Sequence, residues 1–444
     1  MGTAPGPERL IGLDTESRLK HVLVTGPTGA GKSTLLEHLA LSDNKAARAC
    51  VVIEPKKQLV EGILSRLPPE AAGQVVVLDA ADEESVVGFN PLDLGDRDPY
   101  VVVDGILAAL AAVFSDGWGP RTEYIIQGAL LSLALAGKKR GQPYTLLDLP
   151  RLLTDAPFRR EVTSAAQDDP IVTEVWAEFE QMRPGQRASV VAAPLNKLRK
   201  IVMRKHLAAV LGQSQPRFRL RDVFRENKTV LVPLNESLLG TGAARLLGNL
   251  ITAEIFMAAQ ERASEKDPEK RPGMVIIDEV QNYLHLPTPL DVALGVFRSY
   301  GVGLHAAHQH RGQLTTAMRT ALDTNARNKI CFSLEADDAR DMARMAPQLT
   351  ADDFLALPIR EIYARLLGKG VPTAWCSART LPPAKRRNAH ELIRQASRDA
   401  FGALPEQLQP VGAPAGADAS DPDSTAAKDE GISGPQSHQR RRRS

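Results

Sequence analysis

Residues 26–33 read Gly-Pro-Thr-Gly-Ala-Gly-Lys-Ser, between an apolar run, His21-Val22-Leu23-Val24, and a run with helical spacing, Thr34-Leu35-Leu36-Glu37-His38-Leu39. Strand, glycine-rich loop and helix in that order are the GxxxxGK[ST] P-loop in the context it requires. Gly26, Gly29 and Gly31 let the backbone curl until successive N–H groups face inward at phosphate oxygens, and the helix start adds its positive dipole end. The candidate cradle is therefore Gly26, Pro27, Thr28, Gly29, Ala30, Gly31, Lys32, Ser33 and Thr34. Lys32 is placed to reach the β- and γ-phosphates and Ser33 to bind Mg2+. The ligand implied is a nucleoside triphosphate such as ATP.

A β-rich run, Ala49-Cys50-Val51-Val52-Ile53, follows the P-loop helix and ends in Glu54-Pro55. A helical segment with Leu59, Ile63 and Leu67 comes next, then Val75-Val76-Val77-Leu78-Asp79. This βαβ rhythm implies an α/β fold with a parallel-sheet core. From residue 98 to about 219 the rhythm changes. Residues 124–136, 171–182 and 188–211 have amphipathic helical spacing, prolines punctuate the runs, and strand signals nearly vanish. That stretch reads as an all-helical insertion. The α/β rhythm resumes at Lys228-Thr229-Val230-Leu231-Val232, followed by a long helix over 243–262, apolar runs at 274–277, 302–307 and 329–334, and a hairpin from 362–367 and 373–378. Beyond Pro382 the composition turns to Ala, Pro, Gly, Ser and Asp, ending in Arg440 to Arg443. Such a tail buries too little apolar area to offset its ordering entropy. The expected organisation is 1–97 and 221–382 as two parts of one nucleotide-binding domain, 98–220 as the insertion, and 383–444 as a mostly disordered tail.

Met274-Val275-Ile276-Ile277-Asp278-Glu279 is four apolar residues followed by two carboxylates. Beside a complete P-loop this reads as a Walker B strand, with Asp278 holding Mg2+ and Glu279 polarising the attacking water as general base. The next apolar run, Val302-Gly303-Leu304-His305-Ala306-Ala307-His308-Gln309, ends in an amide, a candidate sensor of the γ-phosphate. His305, His308 and His310 invite a metal reading, but a strand alternates faces and no Asp or Cys completes a set, so no metal other than Mg2+ is expected. Arg298 ends the helix after Walker B. It suits either a C-terminal dipole partner or a finger acting on a neighbouring subunit.

Charge excludes little: 55 Lys+Arg against 53 Asp+Glu leave any basic surface local. Three scattered cysteines, Cys50, Cys331 and Cys376, fit a reducing cytoplasm. No segment reaches the ~20 apolar residues of a membrane span, and the first residues lack a signal-peptide layout, so no direct membrane insertion is expected.

Together, GPTGAGKS, VIIDEVQNY, VFRSYGVGLHAAHQHRGQL and TNARNKICFSLEADDAR resemble the HerA/FtsK superfamily, nearest to the coupling-protein ATPases of conjugation and type IV secretion, the TraG/TraD group. WGPRTEYIIQGALLSLA and the LLDLPRLL stretch are similar to that group's helical insertion. The resemblance covers about residues 11–379. It implies a RecA-like P-loop NTPase that forms a homohexameric ring and translocates DNA without regard to sequence while hydrolysing ATP with Mg2+. It assigns Lys32 and Ser33 to Walker A, Asp278 and Glu279 to Walker B, Arg298 to the trans-acting arginine and Gln309 to the sensor. Partner classes are a relaxase, a secretion channel or a nuclease.

Two departures stand out. Glu54-Pro55-Lys56-Lys57-Gln58 replaces the Asp-Pro-His-Gly-Asp-like run frequent in the group, and the N-terminal membrane helices of its membrane-anchored members are not expected from these residues. A HerA-like helicase motor working with a nuclease, and a slow nucleotide-dependent adaptor, stay open as alternatives. For DNA contact, Lys197, Lys200 and Arg204 form a stripe opposite Val191, Leu195, Leu198 and Val202 on the expected helix 188–211. The plainer reading of that stripe is a solvated surface. In a ring it would track phosphates.

Overall fold

The computed structural model of the chain describes residues 10–114, 118–368 and 370–403. Nine strands form its main sheet. In chain order they are β1 (Val22–Thr25), β2 (Ala49–Glu54), β3 (Val75–Val77), β4 (Thr229–Pro233), β5 (Gly273–Ile277), β6 (Val302–His308), β7 (Asn328–Cys331), β8 (Glu361–Arg365) and β9 (Cys376–Arg379). Across the sheet the order is β9-β8-β7-β1-β6-β5-β2-β4-β3. Every pairing from β3 to β7 is parallel, so those strands all end on one edge. β8 runs antiparallel to β7 and forms a hairpin with β9. This is the parallel-sheet core that the βαβ rhythm implies, in the RecA-like form that the family resemblance implies.

Strands β1, β2 and β5 are near-continuous apolar runs because both faces are covered. Alternation sorts their side chains into two layers. Leu23, Val51, Ile53 and Val76 join one apolar cluster, with residues of the helices Pro99–Val113, Pro120–Arg140, Pro170–Gln181 and Thr241–Glu261. Val22, Val24, Cys50, Val52, Val75 and Val77 join the other, beneath Leu36 and Ala40 of the helix Lys32–Lys45 and Leu59, Val60 and Ile63 of Gln58–Leu64. Every described element from 99 to 211 is helical, and helix starts there use prolines at the first turn. Trp176 Nε1 donates to Ser132 Oγ at 2.8 Å inside that layer. Among the described residues no helix is long and apolar enough to cross a membrane.

Three expectations need correction. The helix read over 188–211 is two, Pro184–Val202 and Lys205–Leu211, with Arg204 in extended conformation between them. The basic stripe therefore does not lie on one helix. Lys197 Nζ donates to the Phe114 carbonyl (3.0 Å) and Arg204 donates to the Leu239 carbonyl, so both ends of the stripe are engaged by the protein itself. Third, the chain after Pro382 does not leave the fold at once. Residues 383–389 cross the helices that follow the P-loop and β2: the Arg387 N–H donates to the Ser65 carbonyl (2.7 Å) and Arg66 Nε to the Ala384 carbonyl (2.8 Å). They lead into the helix His390–Phe401, which buries Ile393 and Ser397. Ser397 Oγ accepts from the Val77 N–H at 2.9 Å, closing the outer end of the sheet. Arg440 to Arg443 lie outside the described residues.

Candidate nucleotide-binding site

β1 ends at Thr25, and the backbone then turns through Gly26, Gly29 and Gly31 (φ 157°, 83° and 121°) into the helix that begins at Lys32. Conformations such as those of Gly29 and Gly31 favour glycine. The loop rests on Phe332, which follows β7 and is fully buried. A Cβ at Gly26 would stand 2.6 Å from Phe332 Cβ, and one at Gly31 3.1 Å from its ring. Lys32 is 94 % withdrawn from solvent, at 6 % exposure, and its ammonium donates to the carbonyls of Gly26 (2.5 Å) and Pro27 (3.0 Å). Burial pushes its pKa down, while the carboxylates of Asp278 and Glu279 pull it back up.

The carboxylates reach the loop because β5 is two strands from β1 and ends on the same edge. Asp278 leaves β5 with its N–H on the Ile53 carbonyl (3.0 Å). Burial, reinforced by the neighbouring Glu279 charge, raises its pKa to about 6, against the pull of Lys32. Glu279 has left-handed backbone (φ 53°), uncommon for a residue with a side chain. Gln309 Nε2 donates to Glu279 Oε1, and Gln281 Nε2 donates to Glu279 Oε2 at 2.8 Å. Gln309 Oε1 accepts from Thr28 Oγ1 at 3.1 Å. One hydrogen-bonded chain thus runs from the P-loop through Gln309 to Glu279 and on to Gln281.

A polar cleft of about 630 Å³ opens beside this chain, lined also by Lys56, Arg245, Asn249 and His285. A second, of about 800 Å³, begins at Ser33 and Thr34 and is lined also by Lys57, Arg66 and Arg386. The lysines of the unusual Glu54-Pro55-Lys56-Lys57 run thus border the site, and the Lys56 charge acts on both Lys32 and Asp278. Glu54 turns inward instead, accepting the N–H groups of Leu59 (3.0 Å) and Val60 (2.6 Å).

The fold gathers Gly26 to Thr34, Asp278, Glu279 and Gln309 at one sheet edge, but not Arg298. That residue ends the helix Leu290–Ser299, exposed, just before β6 begins. Its charge acts on His21, at the start of β1. It therefore lies at the opposite edge, roughly 16 Å of strand from the P-loop. The histidines diverge: His305 accepts from Arg18 Nε (3.4 Å), His308 shares a hydrogen bond with Thr25 Oγ1 (3.1 Å), and the His310 N–H donates to Gln313 (3.0 Å). Gln281 and Phe332 were not singled out from sequence. Gln281 lies within VIIDEVQNY, and its polarity two residues after Glu279 was the available signal. Phe332 is one apolar residue among many, and only the strand order reveals what it supports.

A family model described as Type IV secretory system Conjugative DNA transfer matches residues 8–342, more than half of the chain. Among solved structures, the bacterial conjugative coupling protein TrwBdeltaN70 in its unbound monoclinic form is similar at TM-score 0.60 and 17% identity, over 84% of this chain and 87% of that one. The plasmid coupling protein TrwB in complex with ADP and Mg2+ gives TM-score 0.60 and 17% identity, over 84% and 88%. VirB4 of Thermoanaerobacter pseudethanolicus gives 0.52 and 13%, over 81% and 89%. At these identities the likeness is one of fold. A search of curated proteins finds no match.

Proposed function

Because the chain belongs to the type IV secretory system conjugative DNA transfer family, we propose that it is an ATP-driven DNA motor. In this reading it hydrolyses ATP in each subunit of a homohexameric ring. It works in the cytoplasm, with a relaxase and a secretion channel as partners. The observation that carries the reading is the bonded chain Thr28–Gln309–Glu279–Gln281 beside Lys32 and Asp278. A nucleotide-binding module without turnover does not need a carboxylate held next to the phosphate cradle.

The residues fit ATP and Mg2+. Ser33 and Asp278 offer hard oxygen donors of the kind Mg2+ takes, and two adjacent carboxyl groups in a buried site call for a cation. The complex of TrwB with ADP and Mg2+ supports the same cofactors. When bound, Mg2+ neutralises charge on the β- and γ-phosphates. The Lys32 ammonium exchanges its two carbonyl partners for phosphate oxygens and becomes a paired charge, which suits a buried amine. Glu279 accepts the proton of the attacking water. Gln309, bonded to both Thr28 and Glu279, ties the position of the base to the loop that feels the γ-phosphate.

ATPase measurements with Mg2+, with and without DNA, test this. The wild type hydrolyses ATP faster with DNA of any sequence, and the stimulation falls as salt rises. Glu279→Gln keeps ATP binding and loses turnover by roughly 10²–10⁴-fold. Unchanged turnover in Glu279→Gln, or indifference to DNA, overturns the reading.

A further inference from the structure

The strand order gives the site a direction. β5, with Asp278 and Glu279, and β6, leading to Gln309, lie on one side of β1. β7 and β8 lie on the other. The γ-phosphate must face Glu279, because that is where water is activated. The far end of an extended nucleotide then points across the P-loop toward β7 and β8, and β8 is two strands from β1, roughly 10 Å.

β8 is antiparallel to β7, with Tyr363 opposite Cys331, so β8 begins on the edge where β1 and β7 end. The residue just before it is Arg360. Its backbone is left-handed (φ 72°), a conformation that costs a residue with a Cβ. It is pinned from both sides. The Arg360 N–H donates to the Ala30 carbonyl of the P-loop at 3.0 Å, and its own carbonyl accepts from Thr380 N (2.9 Å) and Thr380 Oγ1 (3.2 Å). A Cβ at Gly31 would stand 3.7 Å from Arg360 Cγ, so the side chain passes along the last glycine of the cradle. Among the described residues its exposed guanidinium makes no ion pair, whereas Arg18 and Arg311 are locked to Asp43 and Asp323. The preceding Ile359 is 71% exposed, beside it in the chain. A strained, doubly pinned arginine with an unengaged head, placed against the phosphate loop on the side away from the general base, is a binding feature rather than a packing one.

We propose that Arg360 binds the nucleoside end of the nucleotide, its planar guanidinium lying on the face of the base. The inference rests on the P-loop being an ATP site, and the test separates the two. Binding of ATP, ADP and inorganic tripolyphosphate, each with Mg2+, is measured calorimetrically on the full chain. The variants are Arg360→Ala, Arg360→Lys and Arg360→Gly. Arg360→Ala should weaken ATP and ADP roughly tenfold and leave tripolyphosphate unchanged, because tripolyphosphate has no base to stack. Arg360→Lys should fail to restore nucleotide affinity, since an ammonium offers no plane. Arg360→Gly should lose nucleotide as Arg360→Ala does, yet unfold at the same or a higher temperature, because glycine is unstrained at this φ. Equal ATP affinity in all variants, equal weakening of tripolyphosphate, or full rescue by lysine overturns the inference. Wild-type protein that binds neither ATP nor tripolyphosphate overturns the ATP-site reading instead.

Discussion

Glu54 gives the sharpest quantitative test of how this site is built. It ends β2 at 2% exposure, its carboxylate receiving the first N–H groups of the helix Gln58–Leu64. Burial nonetheless raises its pKa from 4.5 to about 7; the two backbone N–H groups oppose the rise, and the charges of Asp278 and Glu61 add to it. The sign follows from proton binding. Below pH 4.5 the group is neutral in both the folded and unfolded chain and costs nothing. Between pH 4.5 and about 7 the folded chain keeps a proton that the unfolded chain releases, so stability falls as pH rises. Above pH 7 the cost is complete, about 3 kcal/mol at 1.36 kcal/mol per pH unit. Glu54→Gln keeps the shape and one of the two acceptors for the helix N–H groups but never ionises; the lost acceptor costs the same at every pH and leaves the pH dependence untouched. Urea unfolding of both proteins at pH 5, 6, 7 and 8 should show the variant gaining about 2–3 kcal/mol on the wild type across that window. Asp278, with its pKa raised to about 6, titrates in both proteins, and its contribution largely cancels in the difference. Parallel stability profiles would refute the claim that a carboxylate is held against its charge beneath the site.

Gly26→Ala puts a methyl group 2.6 Å from Phe332 Cβ, so it should cost about 1–3 kcal/mol and weaken ATP binding; Phe332→Ala should cost about 3–5 kcal/mol alone and less than additively with it, both read by urea unfolding. Arg298→Ala should bind ATP normally and hydrolyse poorly if the arginine serves a neighbour. Mixing it with Glu279→Gln should then restore part of the activity, since some interfaces join an intact Glu279 to an intact Arg298, and no recovery in demonstrably mixed rings would leave Arg298 as a helix cap.

What the sequence made legible was whatever a single strand or loop carries. The apolar runs at 22–24, 49–53 and 274–277 lie in β1, β2 and β5, and the glycines of the P-loop take the left-handed or extended turns their spacing implied. The break at Met203-Arg204 was hidden because neither residue is a strong helix breaker and the apolar spacing continues through it. The helix His390–Phe401 was hidden differently: it buries Ile393 but leaves Leu392 54% exposed, too thin a stripe to stand out from the polar residues around it. A deeper gap is lateral. A motif says which end of its own strand it occupies, and nothing about which strand lies beside it. Arg298 is four residues from β6 in the chain, yet strand direction sets it a strand's length from the carboxylates. Arg360 is far from the P-loop in sequence, yet the reversal of β8 brings its N–H to the Ala30 carbonyl. Phosphate chemistry is local to one loop and is written there; the groups that meet the rest of a nucleotide come from strands whose neighbours only the folded sheet decides.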